Sequence, residues 1–134
     1  MQDKNKDLSE YRFQNANETF EVANNCLKEC HYRDAINRSY YAAFYAAKSV
    51  LALDEVDFKR HKDAVGYFNQ HYVKDGPMSR DIGRKLGRLK QYREEGDYGD
   101  FNVVSEEEAK NQMEAAADII REIKKYLAAK ENAD

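Results

Sequence analysis

The stretch of sequence that decides the fold is residues 33–53, which read RDAINRSYYAAFYAAKSVLAL. From Tyr40 to Ala47 every residue is apolar or aromatic, so a helix formed here has an apolar surface nearly all the way round. Such a helix is normally buried at the centre of a domain, and its alanines let neighbouring backbones approach closely. The pattern therefore predicts a central helix that is surrounded by others.

Amphipathic segments flank this central helix on both sides. Their apolar residues recur every three or four positions, which is the spacing of one helix face. The first three predicted flanking helices span about 4–30, 61–73 and 79–93, and a fifth helix carries an apolar stripe from Ala109 to Leu127. No segment alternates for long enough to predict a strand. The prediction is an all-α bundle in a single domain over 1–134, with its core at about 8–130.

Signals for the helix ends support these boundaries. Gly76-Pro77 ends the third helix, because a flexible residue is followed by one that cannot continue a helix. A glycine-rich loop at 96–99 is predicted after the fourth helix. Ser105 and Glu108 have the spacing of a capping box, which predicts the start of the fifth helix.

Composition excludes several classes of protein. The chain has 134 residues, a mass of 15.6 kDa, one proline, two cysteines and a net charge of −3. Two cysteines cannot form a disulfide framework, and the net charge does not suit a polycation that coats nucleic acid. The longest apolar run, Tyr40 to Ala47, is far shorter than the ~20 residues that cross a bilayer, and no signal peptide is recognisable. We expect a soluble, cytoplasmic protein that does not engage a membrane.

Charge is segregated around the fourth helix. Residues 78–93 carry a net charge of +5, whereas residues 94–108 carry −7. Arg80, Arg84 and Arg88 recur every four residues and form a basic stripe. This stripe either contacts the phosphates of a nucleic acid or is a solvated helix face.

Arg93 is in phase with the apolar residues of the same helix, four positions after Leu89 and seven after Leu86. A guanidinium at such a position is either capped by a carboxylate or exposed at a seam between subunits. On the central helix, Asn37 and Arg38 lie beside a group of tyrosines, one of which is Tyr41. Asn37 and Arg38 form either a binding site or a structural network in which every polar group has a hydrogen-bond partner. The tyrosines contact either the bases of a nucleic acid or a dimer partner.

No metal or cofactor site is predicted. Cys26, Cys30 and His31 can cluster at the end of the first helix, but no second cysteine pair completes a zinc site, so packed thiols are expected. His61 is in phase with the apolar residues of the third helix, which predicts a polar residue at the core. His71 is expected at the surface. No Gly-rich phosphate loop and no nucleophile motif occurs in the sequence.

Three parts of the sequence together resemble the HEPN domain family. They are the core-helix residues 34–47, the segment 59–68, and Arg93 followed by Asp97-Tyr98, which resembles the Arg-x-x-x-Asp-Tyr ending of the stand-alone prokaryotic branch. The resemblance covers roughly residues 8–130. It implies an up-and-down bundle of four to five helices that forms a homodimer.

The resemblance also implies a partner and a chemistry. Members are commonly encoded beside a minimal nucleotidyltransferase, and many act in toxin–antitoxin or RNA-directed defence systems. Ribonucleases of the family carry an arginine and a histidine separated by four to six residues. Histidine moves protons near neutral pH, and arginine stabilises the charge that develops on the phosphate. In some pairs of a HEPN protein and its nucleotidyltransferase, the nucleotidyltransferase adds AMP to a tyrosine of the HEPN protein that lies close to that histidine.

This sequence departs from the ribonuclease motif. Arg93 matches the motif arginine, but the window for the histidine reads Tyr98-Gly99-Asp100, and no histidine has the required spacing after any arginine. Asp97 is a poorer proton carrier at neutral pH unless its pKa is raised, and a tyrosine is a poor base. The catalytic candidates are therefore Arg93, Asp97 and Tyr98, and enzymatic activity is left open. Tyr98 is either a modification site or a structural lid over Arg93.

The sequence thus predicts a HEPN-like homodimer whose seam joins the second and fourth helices. It is expected to bind nucleotide or RNA as the partner of a minimal nucleotidyltransferase. The predicted binding residues are Asn37, Arg38, Tyr41, Arg84, Arg88 and Arg93. One alternative is an adaptor without catalytic activity, whose aromatic surface serves protein contacts. A third possibility is a divergent ribonuclease that works without metal.

Overall fold

The computed structural model describes residues 2–98 and 103–132, with side chains for 4–95 and 103–132. The all-α prediction is confirmed, because every regular element in these residues is helical. The helices are α1 Gln2–Lys28, α2 Tyr32–Leu53, α3 His61–Phe68, a π-helix Asn69–Lys74 that continues α3, α4 Arg80–Tyr98 and α5 Glu106–Asn132. No helix in this part of the chain is long and apolar enough to cross a membrane.

Helix α2 lies at the centre of the bundle, as its apolar circumference predicts. It packs against α1 over most of its length, and α4 and α5 cover other faces. Ala42, Ala43 and Ala46 have no exposed surface, and Tyr40 is likewise fully buried although it carries a hydroxyl. The small alanines let α2 approach its neighbours, so the bundle closes around this helix.

Helix α1 ends at Lys28, two residues before the predicted boundary. Cys30 adopts a left-handed conformation (φ 67°), and the His31 N–H donates to the Cys26 carbonyl at 2.8 Å. This pattern satisfies a free carbonyl at the helix end while the chain turns towards α2. The reversal depends on backbone bonding at a residue other than glycine, so composition alone did not reveal it.

The predicted third helix has the expected extent but changes character halfway. After Phe68 the chain continues as the π-helix Asn69–Lys74, which has a wider turn than an α-helix. It ends just before Gly76-Pro77, as the sequence predicts. A Cβ at Gly76 would overlap backbone atoms of His71 and Tyr72, so only glycine fits this turn.

Helix α4 extends beyond its predicted end at Arg93 and reaches Tyr98. The predicted loop at 96–99 is therefore wrong for residues 96–98, and Gly99 lies outside the described residues. A Lys90–Glu94 ion pair and a Gln91–Glu95 hydrogen bond, both four residues apart, support the additional turn. These pairs offset the low helix propensity of glycine.

The capping box at the start of α5 is confirmed. The Glu108 N–H donates to the Ser105 hydroxyl at 3.0 Å, and the Ser105 N–H donates to the Glu108 carboxylate at 3.2 Å. The Tyr92 hydroxyl of α4 also donates to this carboxylate, at 2.9 Å. The cap therefore fixes the start of α5 and ties it to α4.

Candidate functional site

The guanidinium of Arg93 lies against two tyrosines of the central helix. Its Nε donates a hydrogen bond to the Tyr41 hydroxyl at 2.9 Å. Its Cζ lies 5.2 Å from the centre of the Tyr41 ring and 5.8 Å from that of Tyr40, within the range of cation–π attraction. Arg93 reaches these rings because it is in phase with Leu89 and Leu86, which are fully buried.

His61 lies against the same two tyrosines. It occupies the first position of α3 and stacks on Phe44, with 4.1 Å between ring centres. Its Nδ1 lies 3.5 Å from the Tyr40 hydroxyl, and its ring meets the Tyr41 ring edge-on at 5.6 Å. The prediction of a polar residue at the core is confirmed for His61, which is half-buried. We call Tyr40, Tyr41, Phe44, His61 and Arg93 the His61–Arg93 cluster.

Sequence reasoning missed the association of His61 with Arg93. The two residues are 32 positions apart and belong to different helices. They meet because Tyr40, Tyr41 and Phe44 share one region of α2, and α3 and α4 both pack against that helix. The available signal was the regular phase of His61 and Arg93 on their own helices, which turns both side chains towards the core.

The electrostatics of the cluster keep the imidazole neutral. Burial lowers the pKa of His61 below its usual range, and the positive charges of Arg93, Lys48 and Lys90 lower it further. Burial also raises the pKa of Tyr40 to about 12, although the charge of Arg93 opposes this effect. At neutral pH the site therefore combines a fixed cation with a neutral imidazole and a protonated phenol.

Two lysines extend the positive charge around the cluster. Lys48 of α2 places its Nζ 5.8 Å from the centre of the Phe44 ring and pairs with Asp57 at 3.3 Å. Lys90 of α4 pairs with Glu94. Both lysine side chains keep about a fifth to a quarter of their surface exposed, at 21% and 24%. Each of these two lysine charges is therefore balanced by a neighbouring carboxylate.

The other predicted residues of α2 lie one turn before Tyr41. Asn37 is half-buried and shares the face of Tyr41, because four residues separate them. Arg38 is exposed beside it. Ser39, the next residue, is fully buried and donates to the Ala35 carbonyl at 2.8 Å, which satisfies it within the helix.

The basic stripe of α4 does not join Arg93. Arg84 is nine residues before Arg93, which places the two side chains about 180° apart on an α-helix. Arg84 is well exposed and pairs with Asp81 at 3.4 Å. Arg88 lies over the Tyr92 ring, with its Cζ 5.4 Å from the ring centre. The predicted residues thus fall on two surfaces: Tyr41 with Arg93, and Arg84 with Arg88.

Asp97 and Tyr98 occupy the last turn of α4. The sequence placed them in a loop, whereas their backbone is helical. Their side chains lie outside the described residues, so their candidate roles in catalysis and modification stay predictions.

The two cysteines lie elsewhere, at the end of α1. Cys26 and Cys30 are free thiols, and burial raises the pKa of Cys26. Within the described residues, no group of three or more His, Cys, Asp or Glu side chains could hold a metal ion. The His61–Arg93 cluster, by contrast, combines a cation, an imidazole and aromatic rings.

Comparisons with known proteins show which family the chain belongs to. The HEPN domain model matches residues 9–126. The UPF0332 protein of Thermotoga maritima is 31% identical over 127 residues, which cover 95% of this chain and 96% of that protein. "Putative toxin MJ0605" of Methanocaldococcus jannaschii is 30% identical over 84% of this chain and 83% of its own length. A UPF0332 protein of Gloeobacter violaceus is 28% identical over 84% of this chain and 90% of its own. The chain belongs to the HEPN domain family.

Proposed function

We propose that this chain is a toxin-like HEPN protein that binds RNA or a nucleotide at the His61–Arg93 cluster. The observation that carries the proposal is the placement of Arg93, whose guanidinium is oriented by the Tyr41 hydroxyl at 2.9 Å. The planar fork of a guanidinium has the geometry that pairs with phosphate. The aromatic rings beside it suit stacking by bases.

A homodimer and a nucleotidyltransferase partner are part of the same proposal. Asn37, Tyr41 and Tyr45 form a half-buried polar and aromatic stripe along α2, close to Arg93 of α4. Tyrosine-rich surfaces of this kind favour association between subunits. The Methanocaldococcus relative carries a toxin name, which supports a toxin-like role. We place modification by a minimal nucleotidyltransferase at Tyr98, on the last turn of the same helix.

Equilibrium binding of labelled single-stranded RNA and of AMP tests the proposed function. We expect Arg93→Ala to weaken binding about 10- to 100-fold, because hydrogen bonds to a charged group contribute about 1.5–3 kcal/mol. Arg84→Ala is the matched control, since it removes an equally charged side chain from the opposite face of α4. Measurements at about 50 mM and about 200 mM salt separate a specific site from general attraction to phosphates.

The outcomes are distinct. Loss of binding in Arg93→Ala with retention in Arg84→Ala supports the site. Equal losses in the two variants would place binding on the general positive charge of α4. If the wild-type chain binds neither RNA nor AMP, the proposed function is wrong.

A second candidate function is that of a protein adaptor. Leu8, Tyr11 and Val22 of α1 are exposed to 41%, 63% and 42%, and their spacing places them on one side of the helix. Exposed apolar side chains on one face favour contact with another protein. An adaptor predicts that partner binding survives Arg93→Ala and is lost in Tyr11→Ser, with no binding of RNA by any variant.

A further inference from the structure

We propose that a groove between α1 and α5 binds a medium-chain fatty acid that carries a hydroxyl group on its chain. The groove is lined by the first half of α1, the last turns of α5 and Leu53 at the end of α2. None of its lining residues belongs to the His61–Arg93 cluster. The inference therefore goes beyond the proposed function and is tested separately from it.

The groove has the size of a site for an elongated small molecule. Its volume is about 720 Å³, within the range of about 300–1,000 Å³ that is usual for ligand sites. Its lining residues on α1 run from Asn5 to Asn17, which is about 18 Å along the helix axis. An extended chain can therefore lie along the groove.

The helices that form the groove run in opposite directions. Lys6 near the start of α1 pairs with Glu131 near the end of α5 at 3.0 Å. Tyr32, which follows the end of α1, donates its hydroxyl hydrogen to Glu106 at the start of α5, at 2.9 Å. The Lys6–Glu131 ion pair thus bridges one end of the groove, and the later residues of α1 face the earlier lining residues of α5.

Three apolar side chains line the groove. They are Phe13, Leu53 and Leu127, and each is half-buried. Phe13 and Leu127 pack against the main core, so the fold fixes their positions. An alkyl chain laid on these side chains would remove their remaining apolar surface from water. This lining therefore selects a ligand with an apolar chain.

The end of the groove opposite the Lys6–Glu131 pair offers donors to an anion. Lys124 lies two helical turns before Glu131 on α5, is exposed, and forms no ion pair within the part of the chain that the structure describes. Gln14 and Asn17 of α1 also line the groove, and neither amide forms a hydrogen bond within the same residues. An unpaired ammonium group and two amides suit a carboxylate.

The charges near the Lys6–Glu131 pair do not favour an anion. Lys6 is neutralised by Glu131, and Lys130 lies over the Tyr126 ring, with its Nζ 5.9 Å from the ring centre. Glu10 also lines the groove, and it lies about two turns of α1 from the Asn17 end. Its carboxylate would repel an anionic head group, so the head group of the ligand lies near Lys124.

Ser9 indicates a second polar group on the ligand. It lines the groove and is only 4% exposed, and its hydroxyl has no hydrogen-bond partner among residues 4–95 and 103–132. A buried hydroxyl without a partner is unfavourable, and an alkyl chain cannot satisfy it. Ser9 lies about 12 Å along the axis of α1 from Asn17, a distance that an extended chain of about ten carbons covers. A hydroxyl group near the far end of such a chain would meet Ser9.

A single aliphatic chain suits this groove better than a polypeptide does. A bound peptide would bury N–H and C=O groups at every residue, and each of them needs a hydrogen-bond partner. The groove instead combines one group of donors around Lys124 with one hydroxyl at Ser9, separated by apolar side chains. This arrangement matches a ligand with two polar groups at the ends of an apolar chain.

Calorimetric titration of the full-length chain tests the proposal. The ligands are 10-hydroxydecanoate, decanoate, which lacks the hydroxyl, and 1,10-decanediol, which lacks the charge, each kept below the concentration at which it aggregates. The variants are Lys124→Gln, Ser9→Ala and Ala128→Phe, which fills the groove from an exposed position. Lys125→Gln is the matched control, because it removes the same charge from the next residue, which does not line the groove.

We expect wild type and Lys125→Gln to bind 10-hydroxydecanoate at one site, about 2- to 10-fold more tightly than decanoate, the effect of one hydrogen bond. Ser9→Ala should remove this preference. Lys124→Gln, and separately the uncharged diol, should weaken binding about 3- to 10-fold, since water partly screens an exposed charge pair. Ala128→Phe should abolish binding of all three ligands.

Several results would overturn the inference. If wild type binds neither acid, the inference is wrong, and the proposed binding of RNA or AMP at the other site is unaffected. Equal affinities for the two acids, or a preference that survives Ser9→Ala, would refute the role of Ser9. Equal losses in Lys124→Gln and Lys125→Gln would refute a head-group site at Lys124. Binding to phosphatidylglycerol vesicles without binding of the dissolved acids would indicate a lipid surface as the partner and would refute the proposal.

Discussion

The substitution Tyr41→Phe probes the hydrogen bond that orients Arg93. It deletes the hydroxyl that accepts from Arg93 Nε at 2.9 Å and keeps the ring, whose centre lies 5.2 Å from the guanidinium carbon. A hydrogen bond to a charged group contributes about 1.5–3 kcal/mol. Because both side chains are half-buried and partly screened by water, we expect Tyr41→Phe to lower the free energy of unfolding by about 1 kcal/mol.

Urea unfolding of Tyr41→Phe, Arg93→Ala and the double variant measures this pair in isolation. A double-mutant cycle removes the effects that each substitution has elsewhere, so the coupling energy reports the contact. Tyr45→Phe is the control, because Tyr45 lies one turn further along α2 and its ring is 6.2 Å from that of Tyr41. It should show a coupling to Arg93→Ala below about 0.3 kcal/mol. Additive effects of Tyr41→Phe and Arg93→Ala would refute the claim that Tyr41 orients Arg93.

Two further predictions concern the framework that holds the site. Gly76→Ala should destabilise the protein by more than about 1 kcal/mol, because the added Cβ would overlap the backbone of His71 and Tyr72. In contrast, Gly66→Ala should stabilise the protein by about 0.5–1 kcal/mol, since that helical position has open space around it. Thermal unfolding measures both changes, and a neutral Gly76→Ala would contradict the close approach. Hydrogen bonds from the Ser105 N–H and the Tyr92 hydroxyl lower the pKa of Glu108 in the folded protein. The ionised carboxylate therefore stabilises the fold at pH values above the pKa of the unfolded chain, and this stabilisation is lost as the pH falls through the lower pKa of the folded protein. Wild type should therefore lose more thermal stability than Glu108→Gln between pH 7 and about pH 3, and equal losses would show that the carboxylate does not stabilise the cap.

The fold could be predicted because the decisive signals are local. The apolar circumference of residues 40–47 identifies the central helix, and Ser105 with Glu108 specifies the start of α5 within four residues of sequence. The end of α4 was less predictable. Side-chain pairs up to Glu95 support the last turns that precede Gly96, whereas the glycines at 96 and 99 favour a loop in the sequence.

The site was only half predictable, for a physical reason. The phase of Arg93 on α4 revealed that it faces the core, and Tyr41 was identified from its place on α2. The association of His61 with Arg93 depends on how α3 packs against α2, and no periodicity within one helix contains that information. The sequence places Arg84 and Arg88 close to Arg93, but the turn of the helix directs these side chains to another face.

The most direct test of the central claim follows the ring signals of the histidines by NMR while single-stranded RNA is added. The chain contains three histidines, so each signal can be assigned with one substitution. If RNA binds at the His61–Arg93 cluster, the His61 signals shift and its pKa rises, because a bound phosphate favours the charged imidazole. The signals of His31 and His71 should stay in place. Shifts of His31 or His71 with an unchanged His61 would contradict the account.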